Sequence, residues 1–411
     1  VIILYLFCTP TSAQTDTTQP WVKYFEQLID IEDMDDENVQ NMYESLLSLS
    51  ENKINLNKAT REDLEQIVFL TPQQIEEISE YIYKYGPVHT WGELAMIESL
   101  DAIRRRLLSY FVYIDYEEKK DFPTIGNIIK YGKNDFIAAV KIPMYERKGD
   151  KNGFMGYKYK HWFRYTFKYG QYLQAGLTGS QDSGEPFFAG KNSIGYDYYS
   201  FYLLIRKLGK IKALAAGRYR LRFGMGLIMN NDFSFGKMAA FSTFGSNNVV
   251  RAHSSRSAAN YLQGCAATYN ITKGLDVTAF ASYRNIDATP GKEPNTITII
   301  ESGYHRTQTE MSHKNNTSQS LIGGNVRYFK SGYHIGMTSF YTYLNKRLKP
   351  NTSQIYRQFY PSGKNFTNTS IDYGYTGHKL SVDGESAIDG RFSLATINRI
   401  MYQPISELSL T

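Results

Sequence analysis

Hydrophobic and polar side chains alternate along the stretch from Tyr157 to Tyr169. One face carries Tyr157, Tyr159, Phe163, Tyr165, Phe167 and Tyr169, and the other carries Lys158, Lys160, Arg164, Thr166 and Lys168. Because successive side chains of a strand point to opposite faces of a sheet, this pattern predicts a β-strand with an aromatic face and a cationic face. The aromatic face needs an apolar neighbour, which is a second sheet in a soluble sandwich and lipid in an outer-membrane barrel.

The two-residue period continues after Phe122-Pro123 and predicts thirteen strands. They are Phe136–Arg147, Gly156–Tyr169, Gln171–Ser180, Tyr196–Lys207, Ile211–Phe223, Ala258–Tyr269, Leu275–Arg284, Ser320–Phe329, Tyr333–Tyr343, Asn368–Tyr375, Lys379–Ala387, Arg391–Met401 and a last strand that starts near Glu407. Most of these are 10 to 13 residues long, whereas a typical globular strand has about 5–6 residues. The greater length matches a tilted membrane crossing.

The connections between these strands alternate in length. Short turns lie at Gly170, Leu208-Gly209, Asn270–Gly274, Lys330–Gly332, Thr376–His378 and Tyr402–Ile405, and long connections cover 181–195, 224–257, 285–319 and 344–367. Tight turns at one rim and long loops at the other are typical of bacterial outer-membrane barrels, and a soluble sandwich has little reason to keep its long loops at one end. We therefore expect an antiparallel up-and-down transmembrane β-barrel, and the odd strand number predicts that it is incomplete at the C-terminus.

A helical period replaces the strand period before residue 116. Three helix start signals lie at Thr60 with Asp63, at Thr71-Pro72 and at Thr90 with Glu93. Each places a capping hydroxyl at a helix N-terminus. The predicted domains are a partial signal peptide over 1–13, an acidic helical segment over 14–53, a small all-α module over 54–115, a linker over 116–135 and the barrel over 136–411. The fold class is therefore α+β and multidomain.

The signal peptide is predicted from the start of the sequence. An apolar run from Val1 to Cys8 is followed by the small-residue pattern Thr11-x-Ala13, which resembles a secretory h-region and its cleavage site. Removal of this peptide leaves Cys265 alone, so neither an intrachain disulfide nor a cysteine metal site is expected.

Three motifs in the helical module resemble the helix-hairpin-helix module of the ComEA competence proteins. They are Asn55-Leu56-Asn57-Lys58-Ala59-Thr60-Arg61-Glu62-Asp63-Leu64, Ile82-Tyr83-Lys84-Tyr85-Gly86-Pro87 and Trp91-Gly92-Glu93-Leu94. In that family a Gly-x-Gly hairpin offers backbone N–H groups to a DNA phosphate. The first hairpin here has Phe69, Leu70, Thr71 and Pro72, and the second has Ser99, Leu100 and Asp101. Without glycine the backbone cannot approach a phosphate closely, so we expect a module that keeps the fold but no longer binds DNA. We expect it to dock instead to the periplasmic mouth of the barrel or to a periplasmic protein partner.

A second resemblance covers the barrel. The segments Arg220–Ile228 and Phe233–Lys237 resemble the barrel part of Bacteroidetes outer-membrane proteins described only as helix-hairpin-helix domain-containing. The resemblance implies an outer-membrane location and a periplasmic helical module, but no established activity.

The net charge changes sign near residue 116, where the spacing of hydrophobic residues also changes from helical to strand-like. Residues 21–115 hold 8 Lys/Arg against 19 Asp/Glu, a net charge of −11, and residues 116–411 hold 38 against 20, a net charge of +18. The negative charge of the helical module opposes binding to DNA phosphates. The candidate lumenal basic face consists of Lys158, Lys160, Arg164, Lys168, Lys212, Arg218, Arg220 and Arg222. These side chains either line a lumen that favours anions or pair with carboxylates of an inserted loop or a further strand.

On the strand Ile211–Phe223 the opposite, apolar side is expected to face lipid. It carries Ile211, Ala213, Ala215, Tyr219, Leu221 and Phe223.

Motifs of enzymes are absent from the sequence. It contains no nucleophile elbow, P-loop, zincin motif or EF-hand loop, so a non-enzymatic protein without a cofactor or metal is expected. The nearest approach to a metal pair is His305 and His313 in a loop with Glu301 and Glu310. Loop histidines at such spacing are expected to be solvated.

The function that these observations favour is a porin-like channel or binding protein for an anionic solute or polymer, embedded in outer-membrane lipid. The alternatives are an adaptor for DNA uptake, which acts through the ComEA-like module, and a structural subunit of an envelope secretion or assembly complex. DNA binding is doubtful because of the degenerate hairpins and the acidic module.

Overall fold

The computed structural model consists mostly of antiparallel β-sheet and has a small helical module at its N-terminal side. It describes residues 20–24, 43, 46–47, 49–50, 53–67, 69–115, 122–231, 247–255, 260–300, 302–405 and 408–410. The predicted signal peptide over 1–13, most of the acidic segment over 14–53 and the motif Phe233–Lys237 lie outside the described residues. No helix in the described part of the chain is long and apolar enough to cross a membrane.

The helical module begins and ends with a short strand. Its elements are β1 (Ile54–Asn55), a 3-10 helix (Leu56–Lys58), α1 (Arg61–Leu64), α2 (Pro72–Tyr85), a second 3-10 helix (Trp91–Met96), α3 (Ala102–Leu108) and β2 (Val112–Tyr113). β1 pairs with β2 in parallel and closes the module. Its apolar core contains Trp21, Leu56, Leu64, Ile78, Leu94, Leu107, Leu108 and Phe111.

All three predicted helix starts are confirmed. The Thr60 hydroxyl accepts a hydrogen bond from the Asp63 amide at the start of α1, and the Thr71 hydroxyl caps α2 in the same way. At the second 3-10 helix the Glu93 carboxylate accepts a hydrogen bond from the Thr90 amide at 2.8 Å. Each contact satisfies a backbone donor that a helix N-terminus leaves unpaired.

The part of the remaining chain that the structure describes forms a large sheet with three short helices. Its long strands are β3 (Lys133–Lys141), β4 (Lys160–Tyr169), β5 (Leu173–Gln181), β6 (Tyr198–Leu208), β7 (Ile211–Gly224), β9 (Leu262–Thr272), β10 (Leu275–Ile286), β13 (Thr317–Lys330), β14 (Tyr333–Leu348), β15 (Gly363–Thr376), β16 (Leu380–Asp389) and β17 (Leu394–Ile405). Its short strands are β8 (Asn247–Ala252), β11 (Ala288–Pro290), β12 (Thr296–Ile299) and β18 (Leu408–Leu410). The helices are α4 (Ile125–Tyr131), α5 (Lys148–Lys151) and α6 (Gln308–His313), and a 3-10 helix spans Ile355–Arg357.

The thirteen predicted strands are all present and follow the predicted order. The first differs most, because β3 spans Lys133–Lys141 and not Phe136–Arg147. The helix α4 occupies part of the predicted linker, and it begins where the Thr124 hydroxyl accepts a hydrogen bond from the Asn127 amide. The short strands β8, β11 and β12 lie in connections that were predicted to be loops.

Neighbouring long strands pair in an antiparallel manner, as predicted. The order across the sheet is β18-β17-β16-β15-β14-β13-β10-β9-β7-β6-β5-β4-β3. β8 pairs with the end of β7, and β12 pairs with β11 and in parallel with β14. Among the described residues β3 and β18 are the two edges, and no pairing between them closes the sheet.

Candidate functional site

The two faces of the sheet have the reverse of the usual polarity, as β14 illustrates. Ile335, Met337 and Tyr341 are exposed on this strand, whereas Thr338 and Thr342, which point to the opposite face, are buried. A soluble sheet buries its apolar face and exposes its polar face. The observed alternation is that of a strand with an apolar exterior and a polar interior.

The same polarity extends across the sheet. Exposed apolar side chains on the long strands include Phe136, Val140, Tyr165, Phe201, Leu203, Ile271, Tyr283, Ile322, Val326, Tyr343, Ile371, Tyr373, Leu394, Ile397 and Ile400. Buried polar side chains on these strands include Thr166, Thr178, Ser200, Asp276, Thr278, Ser282, Asn325, Arg327, His334, Ser370, Asp372, Ser381, Asp383, Glu385 and Gln403. On β4, Tyr165 is exposed and Thr166 is buried, as the alternation predicted.

The end of β7 leaves the wall of the sheet and enters its interior. Pairing of β6 with β7 ends at Gly217, where φ is 86°, and from Tyr219 onward β8 occupies the edge that β6 has left. Glycine adopts this positive φ without the steric cost that a side chain adds. The Leu227 amide then donates a hydrogen bond to Glu385 Oε2 of β16 at 2.9 Å. The β7–β8 segment therefore reaches the far side of the curved sheet.

This inward turn corrects one sequence expectation. Ala213, Ala215, Tyr219, Leu221 and Phe223 were expected to face lipid, but they are buried. They pack in an interior apolar cluster with Leu204, Met229, Val250, Leu262, Ala266, Phe280, Leu321 and Phe340. A register shift lies between Ile211 and Ala213, and the strand bends at Gly217. The place of a residue in the alternating pattern therefore does not predict whether its side chain faces lipid.

The members of the predicted basic face lie in different surroundings. Lys212 Nζ lies 2.6 Å from Asp276 Oδ2, and Lys160 forms an ion pair with Asp182. The Arg164 guanidinium lies 5.7 Å from the centre of the Trp162 ring. Lys158 and Lys168 are partly buried. The structure therefore pairs Lys160 and Lys212 of this predicted face with carboxylates.

The three arginines of β7 lie where the inserted segment meets the wall. Arg220 is 5% exposed, and its Nε donates a hydrogen bond to His253 Nδ1 at 2.8 Å. Arg222 is 9% exposed. The Arg218 guanidinium stacks between two tyrosine rings, with distances to the ring centres of 4.5 Å for Tyr198 and 4.2 Å for Tyr261.

His305 lies at the centre of a buried charged cluster on the long-loop side of the sheet. Its Nδ1 lies 2.6 Å from Asp197 Oδ2, its Nε2 lies 2.9 Å from Asp287 Oδ2, and its amide donates to Glu185 Oε1 at 2.9 Å. Lys314 Nζ lies 2.9 Å from Asp197 Oδ1. The expectation that His305 is solvated is therefore wrong. Its partners come from distant parts of the chain, so no local motif marks the cluster, and Glu301 lies outside the described residues.

Burial and charge decide the protonation of this cluster. Burial alone lowers the pKa of His305, but the hydrogen bonds to Asp197 and Asp287 raise it to about 9. Burial raises the pKa of Glu185 to about 7, and the neighbouring Asp197 contributes to the rise. Glu185, Asp197 and His305 each offer a ligand atom within 4.8 Å of the others, and in this structure the two ring nitrogens of His305 are occupied by Asp197 and Asp287. The cluster is an ion-pair network.

The degenerate hairpin positions are used within the module itself. Phe69, Leu70, Thr71, Ser99 and Leu100 are buried. Their backbone amides donate to carbonyl or side-chain oxygens within the module: Leu70 N donates to Ile67 O at 3.0 Å, Thr71 N to Gln74 Oε1 at 3.0 Å, Ser99 N to Glu77 Oε2 at 3.3 Å and Leu100 N to Ile97 O at 3.2 Å. Pro72 is the first residue of α2, and Asp101 caps α3 through the Arg104 amide at 2.8 Å. The Gln74 side chain joins the two hairpins by donating to Ser99 O at 2.7 Å.

The helical module packs against the short-turn rim of the sheet. Lys207 Nζ, at the β6–β7 turn, lies 2.8 Å from Asp63 Oδ2. His378 Nε2, at the β15–β16 turn, lies 3.3 Å from Glu80 Oε2. Four strands separate β7 from β15 in the sheet order, so both turns reach one small module only because the sheet curves around.

Two further contacts join the module to the sheet. The Arg61 guanidinium lies 4.3 Å from the centre of the Phe329 ring near the β13–β14 turn. Arg251 Nη2 of β8 donates a hydrogen bond to Glu65 O at 3.3 Å. The module therefore touches both the rim and the inserted segment.

Comparisons with known proteins give weak likenesses. No protein-family model matches the chain, and no curated protein matches it significantly. Among solved structures, OmpTdeltaL8, a loop L8 deletion mutant of the outer membrane protein OmpT of Vibrio cholerae, is 11% identical with a TM-score of 0.26, over 67% of this chain and 90% of that chain. A doubly substituted form of OccD1 (OprD) is 14% identical with a TM-score of 0.18, over 59% and 57%. Pseudomonas aeruginosa OccK9 (OpdG) is 10% identical with a TM-score of 0.19, over 67% and 70%. Because every TM-score is below 0.5, these likenesses assign neither a fold nor a function to the chain.

Proposed function

We propose that this chain is a non-enzymatic outer-membrane β-barrel that binds or conducts anionic solutes. The observation that carries the proposal is the inverted polarity of the sheet, in which residues such as Ile322 and Ile371 are exposed while Thr278 and Asn325 are buried. In water such a face is a large apolar patch of the kind that drives association. In lipid it is the stable arrangement, because transmembrane strands alternate apolar-out and polar-in.

The charge of the strand region supports an anionic ligand. Residues 116–411 carry a net charge of +18, and Arg218, Arg220 and Arg222 lie on the part of β7 that runs toward the long loops. The interior also holds the buried carboxylates of Asp276, Asp372, Asp383 and Glu385. We therefore assign the preference for anions to the arginine-rich end of the interior.

The inserted β7–β8 segment limits the width of any channel through the interior. Phe223 of this segment packs on Phe280 of the wall, with 5.6 Å between ring centres, and the interior apolar cluster surrounds them. A filled interior supports a binding protein or a narrow channel over a wide water-filled pore.

The proposed location of the helical module is the periplasm. Outer-membrane barrels keep their short turns on the periplasmic side, and the module packs against the short-turn rim through Asp63 and Glu80. This arrangement agrees with the resemblance to Bacteroidetes outer-membrane proteins that carry a helix-hairpin-helix module.

The hairpins of the module are not assigned to DNA. A phosphate needs free backbone donors, and the amides of Leu70, Thr71, Ser99 and Leu100 already donate within the chain. In a gel-shift assay at low salt, the full-length protein in detergent should retard duplex DNA no better after Ser99→Gly. If Ser99→Gly increased a salt-dependent shift of the DNA, the DNA-uptake hypothesis would be favoured over the channel hypothesis.

The proposed function is tested by reconstituting the full-length protein in planar lipid bilayers. We expect a small conductance whose reversal potential in a KCl gradient shows a preference for anions. Arg220→Gln should reduce that preference, because it removes one positive charge from the arginine-rich end of the interior, where the guanidinium lies beside His253. The matched control Lys364→Gln removes one exposed cation and should leave selectivity unchanged. Failure to insert into bilayers, or a preference for cations, would refute the proposal.

A further inference from the structure

The helix α4 leaves apolar side chains uncovered. Ile125 is 75% exposed and Ile129 is 70% exposed, whereas Ile128 is the one buried residue of this fully described helix. Short helices are marginal in water and take most of their stability from the packing of an apolar face. With 7 residues and one buried isoleucine, α4 has little such packing. The exposed isoleucines therefore indicate that apolar material covers the helix in the native protein.

α4 lies at the short-turn rim, where the chain passes from the helical module to the sheet. Just before the helix, the Phe122 ring packs edge-on against Tyr172 of the β4–β5 turn, with 5.8 Å between ring centres. Just after the helix, Lys133 of β3 pairs with Lys168 at the end of β4. Outer-membrane barrels keep their short turns on the periplasmic side. The proposed orientation therefore puts α4 at the periplasmic surface of the membrane.

The helix joins the sheet on its outward, apolar face. A Cβ on Gly132, directly after α4, would lie 2.3 Å from the Phe167 ring, so this glycine lies against that face. The exposed Tyr165 shares the face with Phe167, and its hydroxyl donates a hydrogen bond to Asn134 Oδ1 at 2.5 Å. Tyrosines collect where a membrane meets water, so this polar pair marks the level of the lipid headgroups. α4 follows directly on the periplasmic side of that level.

The helix has an apolar side and a polar side. At 3.6 residues per turn, Ile125 and Ile129 lie on one side, and Asn127 lies about 160° from Ile129. Lys130 is exposed and lies nearer to Asn127 than to Ile129 around the helix. A lysine can keep its ammonium group in the headgroup layer while its stem lies along apolar material. A helix with these two sides is suited to lie in the plane of a membrane interface.

We propose that α4 is an interfacial helix, whose Ile125 and Ile129 side chains insert among the acyl chains of the periplasmic leaflet while Asn127 and Lys130 stay among the phosphate headgroups. The inference rests on the proposed function, because a lipid-facing sheet is what brings α4 to the membrane surface. The helix then anchors the chain to the membrane between the helical module and β3.

The test is fluorescence quenching of the full-length protein in lipid nanodiscs of phosphatidylethanolamine and phosphatidylglycerol, which leave both leaflets accessible. Single cysteines that carry a small fluorophore are introduced after Cys8→Ala and Cys265→Ala remove the native thiols. Ile129→Cys should be quenched more strongly by a phospholipid with a nitroxide high on its acyl chain than by aqueous iodide. The matched control Asn127→Cys, on the opposite side of the same helix, should show the reverse order.

Two further positions keep the test decisive. Ile125→Cys should behave like Ile129→Cys, and it carries the same prediction if Ile129→Cys fails to fold. Ile322→Cys, at an exposed position on the outward face of β13, reports whether the sheet itself lies in lipid.

The outcomes separate this inference from the proposed function. Lipid quenching at Ile322 together with iodide quenching at Ile129 would overturn the inference and leave the proposed function standing. A label at Ile129 that neither quencher reaches would also overturn the inference, because protein would then cover the helix. Iodide quenching at both positions would overturn the inference and the proposed function together.

Discussion

His305 joins three connections at the long-loop side of the sheet. Its partners Asp197 and Asp287 stand at the start of β6 and the end of β10, and Glu185 lies in the connection after β5. The folded state favours the protonated ring, because the pKa is raised above its unfolded value near 6.5 to about 9. The stabilisation from this charge is therefore complete below pH 6.5 and is lost as the pH rises through 9.

Trypsin cleavage after Arg306 should report this loss. Relative to cleavage after Arg391 in the same sample, it should increase between about pH 7.5 and 9.5 in the unaltered protein. In His305→Gln it should be high at both values and independent of pH, because glutamine carries no charge. Glu185 and Asp197 also face His305, but the raised pKa of Glu185 is about 7 and that of Asp197 is lowered, so both titrate below this window. A pH-independent ratio in the unaltered protein would contradict the prediction.

Little of the His305 cluster is visible in the sequence. Asp197 is 108 positions away and Asp287 is 18 positions away, so only the pairing of β6, β7, β9 and β10 brings them together. A solvated loop histidine is the expectation for a residue whose partners are unknown. The charge of the ring becomes predictable only after the fold is known.

At the scale of elements, the long strands carry the inverted polarity. Ile322 of β13 is 62% exposed and pairs with Tyr341, which is also exposed. The same strand buries Asn325 and Arg327. Such a strand is stable where apolar material covers its outer face.

A charge on this outer face should be costly in lipid. Ile322→Arg should lower the free energy of unfolding in phospholipid vesicles by about 2–4 kcal/mol, the cost of arginine near the bilayer midplane. Ile355→Arg is the matched control, because Ile355 is 85% exposed but lies in the connection between β14 and β15. It should change stability by less than about 0.5 kcal/mol. Similar effects of the two substitutions in denaturant titrations would argue against a lipid-facing wall.

The strands were predictable because each signal is local. Alternation marks the strand interior, and residues such as Gly209 and Gly274, both at positive φ, mark the turns. The inward course of β7 was not predictable in this way. Basic and apolar residues alternate regularly from Arg218 to Phe223, just where the strand turns inward, and the bend depends on β8 and on Glu385, which are distant in the chain.

At the scale of the whole molecule, the helical module and the sheet form a continuous structure. Asp63 is 3% exposed in its side chain and lies against Lys207 of the β6–β7 turn. A buried carboxylate depends on its partner more than an exposed one does. This contact is therefore expected to contribute more than the other polar contacts of the rim.

Charge reversal at Lys207 should loosen the module. Lys207→Glu places a carboxylate against Asp63 and should weaken docking by about 2 kcal/mol or more. The matched control is Lys210→Glu in the same turn, because Lys210 is exposed and its side chain forms no hydrogen bond or ion pair with the described part of the module. Hydrogen–deuterium exchange of α2 should become faster in the first variant and stay unchanged in the second. Equal exchange in both would show that the pair does not hold the module.

The docked module also has a consequence for the time course of assembly. Gln403 near the end of β17 lies 3.5 Å from the carbonyl of Ser99, across 304 positions of the chain. Contacts of such long range form late, because the intervening chain must first be ordered. The module is synthesised before the described strands of the large sheet, yet its contact with Gln403 forms only when β17 is in place. Complete docking therefore follows the pairing of β17, and it distinguishes a sheet that contains β17 from one that does not.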